Sequence, residues 1–557
     1  MVLCNPLGYE AMCAHRTYRQ LAERLAARGF PALRFDYQGT GDSSGYPDEP
    51  ERVPQWIASI DAALDELRER SGVGALGLFG TRFGATLAAV VAARRGDVDS
   101  LVLWAPSPSG RAYTRELRAF RMIKQPGGVA PNPPDGAEEA AGYSFSKATL
   151  SDLSAIDLVA SKQRPARRVL IVPRDDLPGG EARLVKSFTE AGADVTLLPE
   201  PGYEGMMRDP QATIVPVAAL DKMVGWLGEA EYPDAPVASA PPSVQALMTV
   251  QARTRDAQVR ERPIRFGEGD ALFGLLTEPV DRPAASNRPA VVLLNVGANH
   301  RVGPNRMYVA LARDLAARGY EVLRFDVAGL GDSVTDGTKE NRLYSKDSVG
   351  DVRVAMSHLQ ALCGAQRFVL VGLCSGAYLA FHTCIEDERA VGQILLNPQT
   401  FEWKEGDSLE LSMRKSFLST RYYMRALFNP TVWNRGLRGQ LNVRGVAGAL
   451  RERFTNRVRA LAQGAAARAR GQTTQSDIER AFRAVTKRGV ESLLVFSFDD
   501  GGLDMIERHL GRNARGMRAE KRFVFEIVEG ADHTFTPVGS QVVLHELLVK
   551  YVVARFP

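Results

Sequence analysis

A cysteine, an aspartate and a histidine stand where their side chains could do nucleophilic chemistry together. In Gly372-Leu373-Cys374-Ser375-Gly376 a β-rich run, RFVLVGL, meets a helix-forming run, GAYLAFHTC, through a turn of small residues. Glycines on either side of a central nucleophile let the backbone bend sharply enough to lift that side chain above a sheet. A helix start also lowers a thiol pKa, because its unpaired N–H groups and dipole favour the thiolate. Cys374 is therefore the expected nucleophile; the plain alternative is a buried structural cysteine, a common fate for that residue type. A base is offered by RFVFEIVEGADHTFTP, which sets His533 between the strand FVFEIV and a terminal helix, QVVLHELLVKYVVA. The segment SLLVFSFDDGGLD offers Asp499, Asp500 and Asp504 as the acid that would orient it; Asp500 best fits the turn at the strand end, with Asp504 second. Together these residues imply thiolate attack on an acyl carbon.

The elements that must position them come from a repeat. LAARGFPALRFDYQGTGDS from Leu25 to Ser43 returns as LAARGYEVLRFDVAGLGDS from Leu315 to Ser333, and the same offset pairs Asn5 with Asn295 and Tyr18 with Tyr308. FGTRFGA at Phe79–Ala85 aligns with VGLCSGA at Val371–Ala377. A unit this long lies far beyond solenoid periods, so the pattern reads as a tandem duplication of a whole globular domain. In the second copy the strands AVVLLNV, EVLRFDV and RFVLVGL alternate with the helices MYVALARDLAARG and DSVGDVRVAMSHLQALC. Continuous apolar strands separated by amphipathic helices predict an α/β fold, a mostly parallel sheet with helices on both faces. The boundaries expected are a first domain at 1–231, a linker at 232–262 around the Pro- and Ala-rich YPDAPVASAPPS, and a second domain at 263–557. RPIRFGEGDALFGLLTEP reads as an antiparallel hairpin opening the second domain; the first copy begins inside a later strand, at MVLCNPLG, so either its edge strands were lost or the start is late.

The chain has 557 residues, 45% hydrophobic and 24% charged, which excludes disordered, collagen-like and disulfide-scaffold classes. The five cysteines have no CxxC spacing. They read as free thiols of a cytoplasmic protein, with no metal site and no cofactor called for. No run approaches a membrane span or a secretory signal. The net charge of +5 hides a strong asymmetry: Ser412–Gly471 holds about thirteen Arg or Lys against one acid. Spacing in SMRKSFLSTRYYMRALF and ALRERFTNRVRALAQGAAARAR predicts basic amphipathic helices, a cap at about 400–488 inserted after QILLNP. Such a cap either forms a solvated surface or receives an anionic partner: coenzyme A, an acyl carrier protein, or an anionic saccharide or lipid. No nucleic-acid motif is present.

The motifs LLNVGANHRVGPNR, LRFDVAGLGDS, GLCSG and GADHTF, with the chain order nucleophile, acid, histidine, resemble the α/β-hydrolase superfamily. More narrowly, they are similar to serine-aminopeptidase-like hydrolases, including those associated with bacterial exopolysaccharide and exosortase gene clusters. The resemblance implies an oxyanion hole made by the Ser375 backbone N–H and one N–H after LLNV, from Gly297 or Ala298. Cysteine replaces the usual serine, as in dienelactone-hydrolase-like enzymes and some thioesterases and acyltransferases. The expectation is a Cys-His-Asp acyl-transfer enzyme, a thioesterase or acyltransferase; the alternatives are a dienelactone-hydrolase-like ester or lactone hydrolase and a non-catalytic scaffold. The first copy puts Arg82 at the nucleophile position, places Tyr203 where the base is expected and keeps Asp176 as a relic of the acid, so it reads as a pseudoenzyme. Its Arg82 serves either a structural role or the binding of a carboxylate or phosphate.

Overall fold

The computed structural model describes residues 1–124, 136–177, 179–230, 232, 247–253, 257–281, 287–334, 340–403, 455 and 476–557. The chain forms two compact units, Met1–Arg262 with Ala298–Ala310, and Pro263–Gly297 with Leu311–Pro557.

The first unit is built on a sheet of β1 (Val2–Cys4), β2 (Leu33–Arg34), β3 (Leu76–Thr81) and β4 (Val98–Trp104), followed, after a small hairpin of β5 (Glu138–Ala140) and β6 (Tyr143–Phe145), by β7 (Arg168–Val172) and β8 (Asp194–Leu197). The sheet order is β2-β1-β3-β4-β7-β8, parallel at every step. Side chains alternate between its faces. Leu101 and Leu103 join one apolar cluster while Val102 and Trp104 join another. Both faces are covered, which is why these strands read as unbroken apolar runs.

The larger sheet has nine strands: β9 (Met248–Gln251), β10 (Gln258–Phe266), β11 (Leu272–Pro279), β12 (Ala290–Leu294), β13 (Val322–Asp326), β14 (Phe368–Leu373), β15 (Ala390–Leu396), β16 (Glu491–Ser497) and β17 (Phe523–Val528). Their order is β17-β16-β15-β14-β12-β13-β11-β10-β9. The pairs from β13 to β17 are parallel, while β11 runs antiparallel to β13 and β9 antiparallel to β10. The expected hairpin corresponds to β10 and β11. The expected linker needs correction, because β9 and the start of β10 fall within 232–262. In QVRERPIRF charges interrupt the apolar residues, yet Val259 and Phe266 are buried and the run extends over nine residues as strand. Of the linker, residues 233–246 and 254–256 lie outside the described residues.

The repeated LRFD has different fates in the two sheets. In β13 it is held on both sides, by β12 and β11, and with Val322 forms a strand of five residues. In β2 it pairs only with β1 and forms two. The GDS that follows is a scaffold in both. The Asp42 amide donates to Asp36 Oδ2 at 2.9 Å and the Asp332 amide to Asp326 Oδ2 at 3.1 Å. A Cβ at Gly41 or Gly331 would lie 2.1 Å from those same carboxyl groups, so the turn excludes any side chain there. In the second unit the buried Asn295 completes the arrangement: its Nδ2 donates to Asp326 Oδ1 and its Oδ1 accepts from the Val327 amide, both at 2.9 Å.

The cap helices expected over Ser412–Gly471 lie outside the described residues. Within the 400–488 span, a helix at Asp477–Arg488 is described. Ser476 caps it by accepting from the Glu479 amide, and Ile478, Phe482 and Val485 form its buried stripe. Among the described residues no helix is long and apolar enough to cross a membrane.

Candidate active site

Strand β14 ends in a bend with Cys374 at φ 56°, ψ −110°, a conformation most side chains avoid, and the helix Ser375–Glu386 starts at the next residue. Holding it requires the flanking glycines. A Cβ on Gly372 would lie 2.1 Å from the Gly376 backbone, and one on Gly376 would lie 2.7 Å from the Asn295 carbonyl oxygen. The Cys374 amide donates to the Leu396 carbonyl at 2.9 Å, tying the bend to β15. Cys374 is half-buried, while Cys4, Cys13, Cys363 and Cys384 are buried free thiols.

The structure brings Cys374, His533 and Asp500 together. Asp500 follows β16 and is 2% exposed; His533 sits in the loop between β17 and the helix Val538–Arg555. His533 Nδ1 meets Asp500 Oδ2 at 2.6 Å. The other carboxylate oxygen, Oδ1, accepts from the Gly502 amide at 2.7 Å and from Gln399 Nε2 at 2.8 Å. Asp500, and neither Asp499 nor Asp504, thus supplies the carboxylate on the imidazole. Asp504 lies in the first turn of the helix Gly502–Leu510.

Burial opposes charge on the imidazole, but the Asp500 carboxylate and the Cys374 sulfur outweigh it and hold the His533 pKa well above its ordinary value. Burial likewise opposes the Cys374 thiolate, and the nearby Asp500 charge adds to that opposition. The positive charge of His533, with hydrogen bonding that includes the Tyr344 hydroxyl, overcomes both and lowers the thiol's pKa. The arrangement favours a thiolate–imidazolium pair at rest, a nucleophile with a proton donor beside it.

Three neighbours were not singled out from the sequence. Gln399 lies just after β15 and touches both Asp500 and, at 3.3 Å, His533 Nδ1. Tyr344 places its hydroxyl 3.5 Å from Cys374 Sγ. Asn397, at φ 41°, donates through Nδ2 to the His533 carbonyl at 2.7 Å and so ties the histidine loop to the end of β15. Gln399 and Asn397 follow a strand end and were open to notice; their partners, 101 and 136 residues away, were not.

The expected oxyanion donors fare differently. Ser375 opens its helix, where first-turn amides have no acceptor within the helix. The Gly297 amide instead donates to Ser375 Oγ at 2.9 Å, so in this conformation that N–H is taken by a side chain and is not held ready for a substrate oxygen. Ala298 falls in the segment that groups with the first unit.

A similar bend in the first unit carries Arg82 at its tip. Arg82 has φ 56°, ψ −125° at the end of β3, and Gly84 is packed so closely that a Cβ would lie 2.2 Å from the Asn5 oxygen. Arg82 is 3% exposed. Its Nε donates to Glu10 Oε1 at 2.8 Å, a second guanidinium nitrogen pairs with Glu116, and the group lies over the Tyr113 ring. Its donors are therefore engaged by the protein's own carboxylates, which favours the structural role over capture of a ligand. Asp176 pairs with Arg174, and the buried Tyr203 sits close enough to feel the charges of Arg82 and Glu10.

This topology and bend are those of the α/β-hydrolase fold, and two family models match parts of the chain. Residues 291–541 match the family described as "Alpha/beta hydrolase family", and residues 12–134 match "Serine aminopeptidase, S33". No curated protein matches the chain by sequence. Among solved structures, an alpha-beta serine hydrolase homologue from Coxiella burnetii is similar at 13% identity over 56% of this chain and 99% of its own, TM-score 0.29. An esterase from Pyrococcus furiosus is 13% identical over 56% of this chain and 91% of its own, TM-score 0.31. A dienelactone hydrolase from Anabaena variabilis is 12% identical over 54% and 99%, TM-score 0.31.

Proposed function

We propose that the second unit is an acyl-transfer enzyme in which the Cys374 thiolate attacks an ester or thioester carbonyl and forms a thioester acyl-enzyme. The observation that carries this reading is His533 held by Asp500 at 2.6 Å beside a cysteine at the tip of the strand-to-helix bend. The thiolate pair forms the S–C bond and the carbonyl π pair moves to oxygen. On collapse the bond to the leaving group breaks, and that group takes the proton from the His533 imidazolium. His533 then serves as base for the acceptor that releases the acyl group, whether water or an amine or alcohol. A thiol nucleophile suits thioester donors, because exchange of one thiol for another is nearly balanced. We read the first unit as a non-catalytic copy of the same domain, because an arginine at the nucleophile position offers no nucleophile. The basic 412–471 segment is the expected docking element for coenzyme A or an acyl carrier protein. Free thiols at all five cysteines fit a cytoplasmic setting.

Intact mass spectrometry after incubation with a panel of acyl thioesters and esters tests this directly. An acyl adduct on the native chain, absent in Cys374→Ala, is the expected result, with turnover in that variant falling by about 10³-fold or more. Normal turnover by Cys374→Ala would exclude the mechanism.

A further inference from the structure

We infer that the Tyr344 hydroxyl is a second hydrogen-bond donor to the reacting sulfur of Cys374, a catalytic residue that steadies the thiolate in a role distinct from that of His533. The inference rests on the acyl-transfer reading for its place in turnover, but its contact is independent of any substrate: the oxygen lies 3.5 Å from Sγ. The phenol is not free to drift. Its ring stacks on Trp403 at 4.6 Å between centroids with an interplanar angle of 19°, and meets the Tyr378 ring edge-on at 5.4 Å and 83°. Two aromatic contacts from different parts of the chain fix the ring plane, and so fix where the hydroxyl points.

The direction of donation follows from acidity. Burial, then the charge on Cys374, push the Tyr344 phenol well above its ordinary pKa, whereas the thiol is lowered. The proton therefore stays on oxygen and the sulfur accepts. During attack Tyr344 keeps its proton: as the sulfur pair enters the S–C bond, the charge the hydroxyl was stabilising leaves for the carbonyl oxygen. The role thus differs from that of His533, which gives its proton away. It also places beside the nucleophile a tyrosine ring that is itself packed on Trp403 and Tyr378.

Tyr344→Phe keeps the ring and removes only the donor. The probe is iodoacetamide, which alkylates thiolates without acyl chemistry, with peptide mapping to isolate Cys374 from the buried cysteines. The pH at half-maximal alkylation should rise by about one unit in Tyr344→Phe, the range expected for one hydrogen bond to a charged acceptor. Difluorotyrosine at 344, a more acidic phenol in the same ring position, should move it the other way. An unchanged midpoint in folded Tyr344→Phe overturns the inference; if that variant does not fold, the absence of a downward shift with difluorotyrosine overturns it. The shift in the absence of any acyl adduct would leave Tyr344 as thiolate donor while removing the acyl-transfer reading, so the two failures are distinguishable.

Discussion

His533 presents Nδ1 to Asp500 Oδ2 at 2.6 Å, and this contact sets how the site responds to pH. The Cys374 pKa lies below the ordinary thiol value and the His533 pKa above the ordinary imidazole value. Below the first the sulfur is protonated; above the second the imidazolium has lost the proton a leaving group needs. Turnover should therefore trace a bell, whereas alkylation, which needs only the thiolate, should rise on the acid side and stay high. Asp500→Asn removes the charge that supports the imidazolium, so the alkylation midpoint should rise toward that of a free thiol and the alkaline limb of turnover should move to lower pH. Alkylation rates of the native chain across pH check the premise: a midpoint at or above that of an ordinary thiol would rule out the ion pair.

Gln399 acts through Asp500. Its Nε2 donates to Asp500 Oδ1 at 2.8 Å and lies 3.3 Å from the imidazole. Gln399→Leu should lower kcat about tenfold, the worth of one hydrogen bond to a charged acceptor, with KM little changed. Because the carboxylate then loses a fixing contact, the alkaline limb should also shift. Steady-state kinetics across pH separate this from a packing defect, which would lower the amount of active enzyme without moving the limb; an unmoved limb would deny Gln399 its positioning role.

The strands and helices of the second unit were legible because a parallel sheet covered on both faces writes itself as apolar runs. The meeting of Cys374, Asp500 and His533 was legible because each follows a strand of the parallel sheet. Tyr344 and Gln399 were not, since neither belongs to a repeated motif and each meets its partner only through the fold, 30 and 101 residues away in sequence. The unequal lengths of β2 and β13 have a related cause: LRFD is the same sequence in both, and β13 is paired on its second side by β11. Arg82 was visible as an odd residue in a familiar turn, but its satisfaction by Glu10 and Glu116 depends on side chains 72 and 34 residues distant.

That satisfaction predicts a stability effect confined to the first unit. The Arg82 side chain is 4% exposed, Glu10 23% and Glu116 44%, so removing the cation leaves one mostly buried carboxylate without its partner and another better placed to find water. Arg82→Met should destabilise the first unit by about 2–3 kcal/mol, below the full value for a wholly buried pair because solvent screens Glu116. Glu10→Gln combined with Arg82→Met should recover part of the loss. Denaturant melts read these values. A neutral Arg82→Met would mean the pair is not worth its desolvation.

The glycines of the second unit allow one substitution to be tried with opposite expected signs. At Gly376 an added methyl would lie 2.7 Å from the Asn295 oxygen and 2.9 Å from the Leu294 oxygen, both backbone atoms that cannot rotate away. Asn295 is itself anchored by Asp326 and Val327, so relief must come from pushing the helix Ser375–Glu386 off β12 and with it the Cys374 bend. Gly376→Ala should cost about 2–4 kcal/mol and abolish Cys374 reactivity in the fraction that folds. Gly350 lies in the helix Lys346–Cys363, where a Cβ meets nothing within 4 Å. There Gly350→Ala removes backbone freedom from the unfolded chain at no steric cost and should stabilise by about 0.5–1 kcal/mol. Paired thermal melts and iodoacetamide mapping on both variants decide the matter: equal effects from the two would mean that helix propensity, and not the closeness of β12, governs the position beside the nucleophile.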